Sequence, residues 1–426
     1  MQKKLSGEKP KMSPTFDKPQ LWWERDDIGY RKYRLFSGKQ DLQVLAESAE
    51  TPAYAYNAAR IQQNLMRLSN ALMKKSIQFK IFYALKANRY LPLVTSLKLS
   101  GHCGVDVCSP GELLLARQAG FHESEITYTG TSVSDEDIAC LKRHPGVRVN
   151  CDAISTLRRL GAQCPGRSVG IRINPRQGAG YHAGLHYAGS KATKFGIYQD
   201  RFLEALEVAG NYSLNIKTLH FHIGSGYRTK DLNTLDEILT GCHWFLDQSP
   251  GIDTLDIGGG LGIPLVEGQK PLDLDAWAKV IAGHANRQGL EIHLEPGDYL
   301  VKDAGVLLLQ VNTVEEKGGK RFVGVNGGFN IQNLAAYYQT PFIVAPLKWK
   351  PDAPTEKITL AGNINEAIDI LAEDVELPAV SEGDYLALLN TGGYGSASSS
   401  NHCMRGRFSE YLLIDEHLDD SEIEFV

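Results

Sequence analysis

Between residues 51 and 298, short apolar runs alternate with helically patterned segments. The runs fall at 79–85, 105–108, 126–129, 147–150, 169–174, 219–222, 254–257 and 290–294. Near-continuous apolar runs of this length suit strands covered on both faces, which is the habit of parallel sheets. Helical spacing predicts helices over 58–75, 110–119, 135–143, 154–160, 234–248 and 274–288. In the first of these, Ile61, Leu65, Leu68 and Leu72 share one face. About eight strand-then-helix units in roughly 250 residues predict a closed parallel (β/α)8 barrel. A doubly wound open sheet is the alternative, and the count favours the barrel.

Helical periodicity becomes scarce after residue 298. Strand-like stretches at 304–314, 320–325, 357–360, 385–389 and 410–414 predict a second, mostly antiparallel β domain over 299–426. Residues 30–36 alternate as a strand, and the segment 1–50 is expected to join that β domain. Residues 51–56 read as a strand that opens the barrel unit, 51–298. A net charge of −5 gives no electrostatic reason to expect a nucleic-acid partner. No apolar run reaches the length of a membrane span. Residues 1–11 are basic and polar without an apolar stretch, so they predict a short tail rather than a secretory signal. The seven cysteines form no C-x-x-C pair and no His cluster joins them, which argues against zinc and for reduced thiols in the cytoplasm.

In a (β/α)8 barrel the chemistry sits at the C-terminal ends of the strands. Lys86 ends the first run, inside Tyr83-Ala84-Leu85-Lys86-Ala87-Asn88. A lysine buried there is expected to have a lowered pKa and to form a Schiff base with an aldehyde. The bland alternative is a lysine that snorkels from a strand end. His222 ends another run and is followed by Ile223-Gly224-Ser225-Gly226. Taken alone it is better read as a satisfied core histidine, although a flat imidazole also stacks well on an aromatic ring. Gly258-Gly259-Gly260 follows a third run. Such a run is more often only a loop, but free backbone N–H groups and a following helix dipole also suit a phosphate, with Ser225 as a hydroxyl donor. Glu295-Pro296-Gly297 follows the last run. Glu295 is either a structural ion-pair partner or a carboxylate that keeps a pyridine nitrogen protonated. An aldehyde-reactive amine, a phosphate cradle, a stacking face and a carboxylate for a ring nitrogen together describe pyridoxal 5′-phosphate.

The chain resembles the alanine-racemase-like, fold type III pyridoxal-phosphate decarboxylases, and within them the diaminopimelate decarboxylase branch. The motifs that carry the likeness are Y-A-L-K-A-N at 83–88, V-C-S-P-G-E-L at 107–113, H-F-H-I-G-S-G at 220–226, D-I-G-G-G-L-G at 256–262, E-P-G at 295–297 and G-G-Y-G at 392–395. The resemblance implies that Lys86 carries the cofactor and that His222 stacks on its ring. It implies that Ser225, Gly259 and Gly260 hold the phosphate and that Glu295 pairs with the pyridine nitrogen. Gly297 and Tyr394 are then also at the cofactor. It further implies a homodimer with shared active sites and an amino acid substrate.

Three positions depart from that pattern. Asp298 replaces the arginine of E-P-G-R, Leu334 falls where a second arginine is usual, and Asn365 with Glu366 stands in place of Cys-Glu. Asn365 therefore occupies the position of the catalytic proton donor, while Asp298, Glu366 and Tyr394 are expected toward the substrate. Asparagine is no general acid near neutral pH, and a lost bidentate arginine clamp is hard to replace. These departures predict a decarboxylase specialised for a non-standard amino acid of a secondary-metabolite, siderophore or polyamine pathway, with diaminopimelate a poor substrate. The alternatives are a true diaminopimelate decarboxylase, an amino acid racemase, which Glu295 disfavours, and a non-catalytic cofactor-binding protein.

Overall fold

The computed structural model describes residues 21–189 and 191–414. The tail at 1–11 lies outside the described residues. Eight parallel strands close into a barrel: Phe79–Ala84, Gly104–Val107, Ile126–Tyr128, Arg148–Cys151, Ser168–Arg172, Asn215–His220, Thr254–Asp256 and Glu291–Leu294. Closure is direct, since Ile292 pairs with Phe79 and Leu294 with Ile81. The open-sheet alternative is thereby excluded.

Two barrel helices show how local sequence sets their starts and buried faces. Asn57 accepts from the Arg60 backbone N–H at 3.1 Å and so caps Ala58–Met73. The expected face, Ile61, Leu65, Leu68 and Leu72, is at most 1% exposed. Ser134 and Asp137 form a reciprocal capping box at the start of Asp135–Arg143. Leu91–Ser100 is the helix toward which the run ending at Lys86 is expected to turn, whereas Phe202–Asn211 has no counterpart in the sequence reading.

The strand expected to open the barrel belongs elsewhere. Ala53–Asn57 pairs antiparallel with Gly305–Lys317 and parallel with Ser409–Leu413, so the barrel unit opens only at Ala58. The rest of that sheet is mostly antiparallel and includes Lys320–Val325, Thr355–Ala361 and Tyr385–Leu389. It also contains Ile343–Pro346 and Ile370–Pro378, two strands the sequence reading did not identify. The single strand expected over 30–36 is a hairpin, Ile28–Arg31 and Arg34–Ser37, turned by Lys32 and Tyr33 at φ 49° and 63°. Two positive φ values in succession suit a type I′ turn, which Asn-Gly signals and Lys-Tyr does not. This hairpin packs Ile28, Tyr30 and Leu35 against Val306, Leu308, Ala387 and Leu389 of the large sheet.

One ionic junction ties these parts together. Asp303 Oδ2 accepts from Arg60 Nη2 at 2.6 Å and Nε at 3.2 Å, and its Oδ1 accepts from Asn64 Nδ2 at 2.7 Å. Arg25, from the N-terminal segment, donates to the Asp303 carbonyl at 2.8 Å and approaches its carboxylate at 3.9 Å. No helix among the described residues is long and apolar enough to cross a membrane.

Candidate active site

The C-terminal mouth of the barrel gathers the predicted groups. The first strand ends at Ala84, and a 3-10 turn, Leu85–Ala87, presents Lys86. Its side chain is 41% exposed, with Nζ 3.7 Å from Asp106 Oδ2. Burial alone would lower the Lys86 pKa, yet Asp106, then Tyr394 and Glu295, outweigh it and raise it. The lowered pKa expected from sequence is therefore corrected, because a buried carboxyl stands beside the amine. Asp106 is itself buried on the neighbouring strand, where it pairs in register with Ala84. Burial and the Glu295 charge push its carboxyl up, and Lys86 pulls against them.

Glu295 forms the opposite pole. His220 Nε2 lies 3.1 Å from Glu295 Oε2, and Thr129 donates to Oε1 at 3.3 Å. Burial would raise the Glu295 carboxyl, but the charge and hydrogen bond of His220, followed by Lys86, hold it well below its ordinary range. Asp256, in register with His220 on the next strand, is pushed the other way by burial and by Glu295. Glu295 is thus the ionised carboxylate of the mouth, and burial lowers the His220 pKa.

His222 is lowered strongly by burial and by Lys86, so its ring is neutral and flat. Its Nδ1 accepts the Gly259 N–H at 3.2 Å, which leaves the proton on Nε2. The Gly258 N–H donates to Asp256 Oδ1 at 2.9 Å. Two amides of the glycine run thus brace the loop internally, a use of Gly259 that the sequence reading did not anticipate. A side chain at Gly260, where φ is 94°, would collide with the Gly224 carbonyl, so the two glycine loops touch there because residue 260 lacks a Cβ. The helix after the glycine run spans Leu274–Gln288 as expected, but it starts too far on for its dipole to reach these amides.

Gly297 and Tyr394 close the mouth. A Cβ on Gly297 would lie 3.2 Å from the Tyr394 hydroxyl, and Tyr394 N–H donates to the Ala87 carbonyl at 2.7 Å. Burial raises the Tyr394 phenol, which therefore keeps its proton. Asp298 lines a cavity with Ser225, Lys302, Leu334 and Tyr394. It is not the unpaired charge that the sequence suggested, because its Oδ2 accepts from Lys302 Nζ at 2.8 Å and both side chains are buried. Asn365 and Glu366 stand outside this cluster, on an exposed loop where Glu366 meets His402 at 3.2 Å. Sequence reasoning missed Asp106, His220, Asp256 and Lys302. The last was readable, since it follows Asp298 by the four residues of a helical ion pair.

A sequence profile described as "Pyridoxal-dependent decarboxylase, pyridoxal binding domain" matches residues 58–302. The chain belongs to the pyridoxal-dependent decarboxylase family. A relative from Methanothermobacter thermautotrophicus, named diaminopimelate decarboxylase, is 36% identical over 403 residues, 91% of this chain and 92% of that protein. One of the same name from Pseudomonas fluorescens is 31% identical over 402 residues, covering 91% and 94%. The solved diaminopimelate decarboxylase from M. jannaschii, in complex with L-lysine, superposes with a TM-score of 0.84 at 28% identity, covering 91% and 93%. The protein is a pyridoxal-phosphate-dependent carboxy-lyase acting on an amino acid. The groups at the mouth fit that cofactor: an amine for its aldehyde, a neutral flat ring for its pyridine, glycine loops beside a serine for its phosphate, and one ionised carboxylate for its ring nitrogen.

Proposed function

We propose that this chain is a diaminopimelate decarboxylase, releasing carbon dioxide from one amino acid centre of meso-diaminopimelate and leaving lysine. The observation that carries the reading is the likeness to a protein of that name over barrel and sheet together, 36% identical across 91% of the chain. The Asp298–Lys302 pair supports it by removing the objection from charge, since a distal carboxylate would meet a neutralised pair rather than a bare aspartate.

Bound pyridoxal 5′-phosphate supplies an electron sink for the electron pair of the breaking Cα–carboxylate bond. Lys86 is the amine that holds its aldehyde carbon. Glu295 keeps a proton at the pyridine nitrogen, and His220 and Thr129 orient that carboxylate. His222 presents its neutral face to the ring, and Gly259 orients His222. Ser225 and Gly260 take the phosphate, and Gly297 leaves room for Tyr394. With asparagine at the usual cysteine position, Lys86 and Tyr394 are the proton donors on this chain for the carbon that loses its carboxylate. The functional unit is a homodimer, in which the exposed loop bearing Asn365 and Glu366 completes the partner's site.

The test is carbon dioxide release from meso-diaminopimelate, L-lysine, L-ornithine and a carboxyalkyl polyamine by the holoenzyme. A specificity constant of roughly 10⁴ M⁻¹s⁻¹ or more is expected for meso-diaminopimelate alone. Turnover of another amino acid with none of meso-diaminopimelate would replace this reading with the specialised one.

A further inference from the structure

Ser225 and Tyr394, the groups assigned above to the cofactor, share a cavity of about 150 Å³ with Leu334. Asp298 and Lys302 sit side by side in its wall, 7% and 2% exposed. Asp298 uses only Oδ2 on Lys302. Its Oδ1 is buried and has no hydrogen-bond partner among the described residues. Gly393 packs its backbone close against that oxygen, and a Cβ there would lie only 2.7 Å from Oδ1. Lys302 Nζ spends one of its three donors on Asp298 and lies 5.6 Å from the centre of the Tyr181 ring. The pair is thus neutral overall, yet it offers one unused acceptor next to unused donors.

We propose that the Asp298–Lys302 pair is the recognition site for a zwitterionic amino acid centre at the far end of the substrate. Asp298 Oδ1 accepts from its ammonium, and Lys302 donates to its carboxylate. A lone distal ammonium satisfies Asp298 but faces Lys302, and a lone distal carboxylate faces the reverse conflict. Like charges set together are how a site rejects a near-miss ligand. Leu334 and Leu185, in the same wall, suit the methylene chain between the two ends. The inference rests on the proposed decarboxylase reading and deepens it, because it states how a chain without the arginine clamp selects a substrate with two amino acid ends.

The experiment compares meso-diaminopimelate, L-lysine and L-2-aminopimelate, which carry both distal groups, the ammonium alone and the carboxylate alone. Apparent Kd is read from the shift of the holoenzyme's visible cofactor band on rapid mixing, and carbon dioxide release is followed separately. Wild type should bind meso-diaminopimelate at least about tenfold more tightly than either single-ended ligand, the usual worth of a hydrogen bond to a charged group. Asp298→Asn should weaken meso-diaminopimelate to the level of L-2-aminopimelate, and Lys302→Gln should weaken it to the level of L-lysine. Equal binding of all three by wild type overturns the proposal without any variant. A variant that weakens all three equally assigns the pair a purely structural role and overturns it too. The selectivity without carbon dioxide release from meso-diaminopimelate would sustain this inference and sink the decarboxylase assignment. Release without selectivity would do the opposite.

Discussion

Asp303→Asn removes the one charge that serves three segments at once. In the native protein its carboxylate receives both Arg60 donors and Asn64, with Arg25 nearby. The Asp303 and Arg60 side chains are only 9% and 12% exposed, so solvent does little to replace a lost partner. Asparagine keeps one acceptor and loses the charge, which leaves Arg60 with a distant carboxylate, Asp27 at 3.9 Å, and the neutral Gln63 at 3.4 Å. Breaking a buried ion pair from one side costs about 3–5 kcal/mol. The acid side supplies a second check. Burial would raise the Asp303 pKa, but Arg25, Arg60 and Asn64 outweigh it and lower it. A carboxyl depressed by folding stabilises fully above its ordinary value and loses that contribution as pH falls through the folded value. The deficit of the variant should therefore be greatest near pH 7 and shrink in acid. Urea unfolding of both proteins at pH 7 and at successively lower pH measures it, with the midpoint shift converted through the common slope. A deficit below about 1 kcal/mol at pH 7, the worth of an exposed pair, would refute the claim that this junction is buried and cooperative. So would a deficit that does not change with pH.

Lys86→Ala should abolish the cofactor adduct that borohydride traps in the wild type, and peptide mapping that finds the adduct on another lysine would refute the assignment. Glu295→Gln should lower carbon dioxide release on the order of 10²–10³-fold, as does loss of other preorganised electrostatic groups, with the fold retained by circular dichroism. Mixing Lys86→Ala subunits with Glu366→Ala subunits should restore part of the activity that each lacks. Full activity in an isolated monomer would contradict the shared site.

The barrel was legible because its strands are buried on both faces and so carry their own signal as apolar runs. The helix expected after Lys86 had no readable bounds, because the apolar and polar residues of Leu91–Ser100 are mixed round it and show no stripe. Ala53–Asn57 was recognised as a strand but given to the wrong unit, because pairing with Gly305–Lys317 and Ser409–Leu413 involves residues about 250 and 350 positions away. At the site, Lys86, His222 and Glu295 stood out as chemical groups at strand ends. Asp106, His220 and Asp256 sit inside the runs themselves, and only the register of neighbouring strands brings them to the mouth. The charge argument about Asp298 failed for a local reason, since its partner lies one helical turn further on.

The strand Ala53–Asn57 lies between Gly305–Lys317 and Ser409–Leu413, both of which follow the barrel in sequence. During synthesis it emerges before any of the barrel, while one neighbour is made only after the barrel is complete and the other, Ser409–Leu413, comes among the last described residues. Its backbone therefore has neither sheet partner until the barrel has been made, and it gains the second only after about a hundred further residues. Domains generally fold as units while the chain is made. For this protein the barrel, from 58 onward, is the unit able to form early, and the sheet that carries Tyr394 is sealed last. A stalled or prematurely ended chain would then display a folded barrel with an open strand edge beside it, the form of damage that quality-control proteases and aggregation act on first.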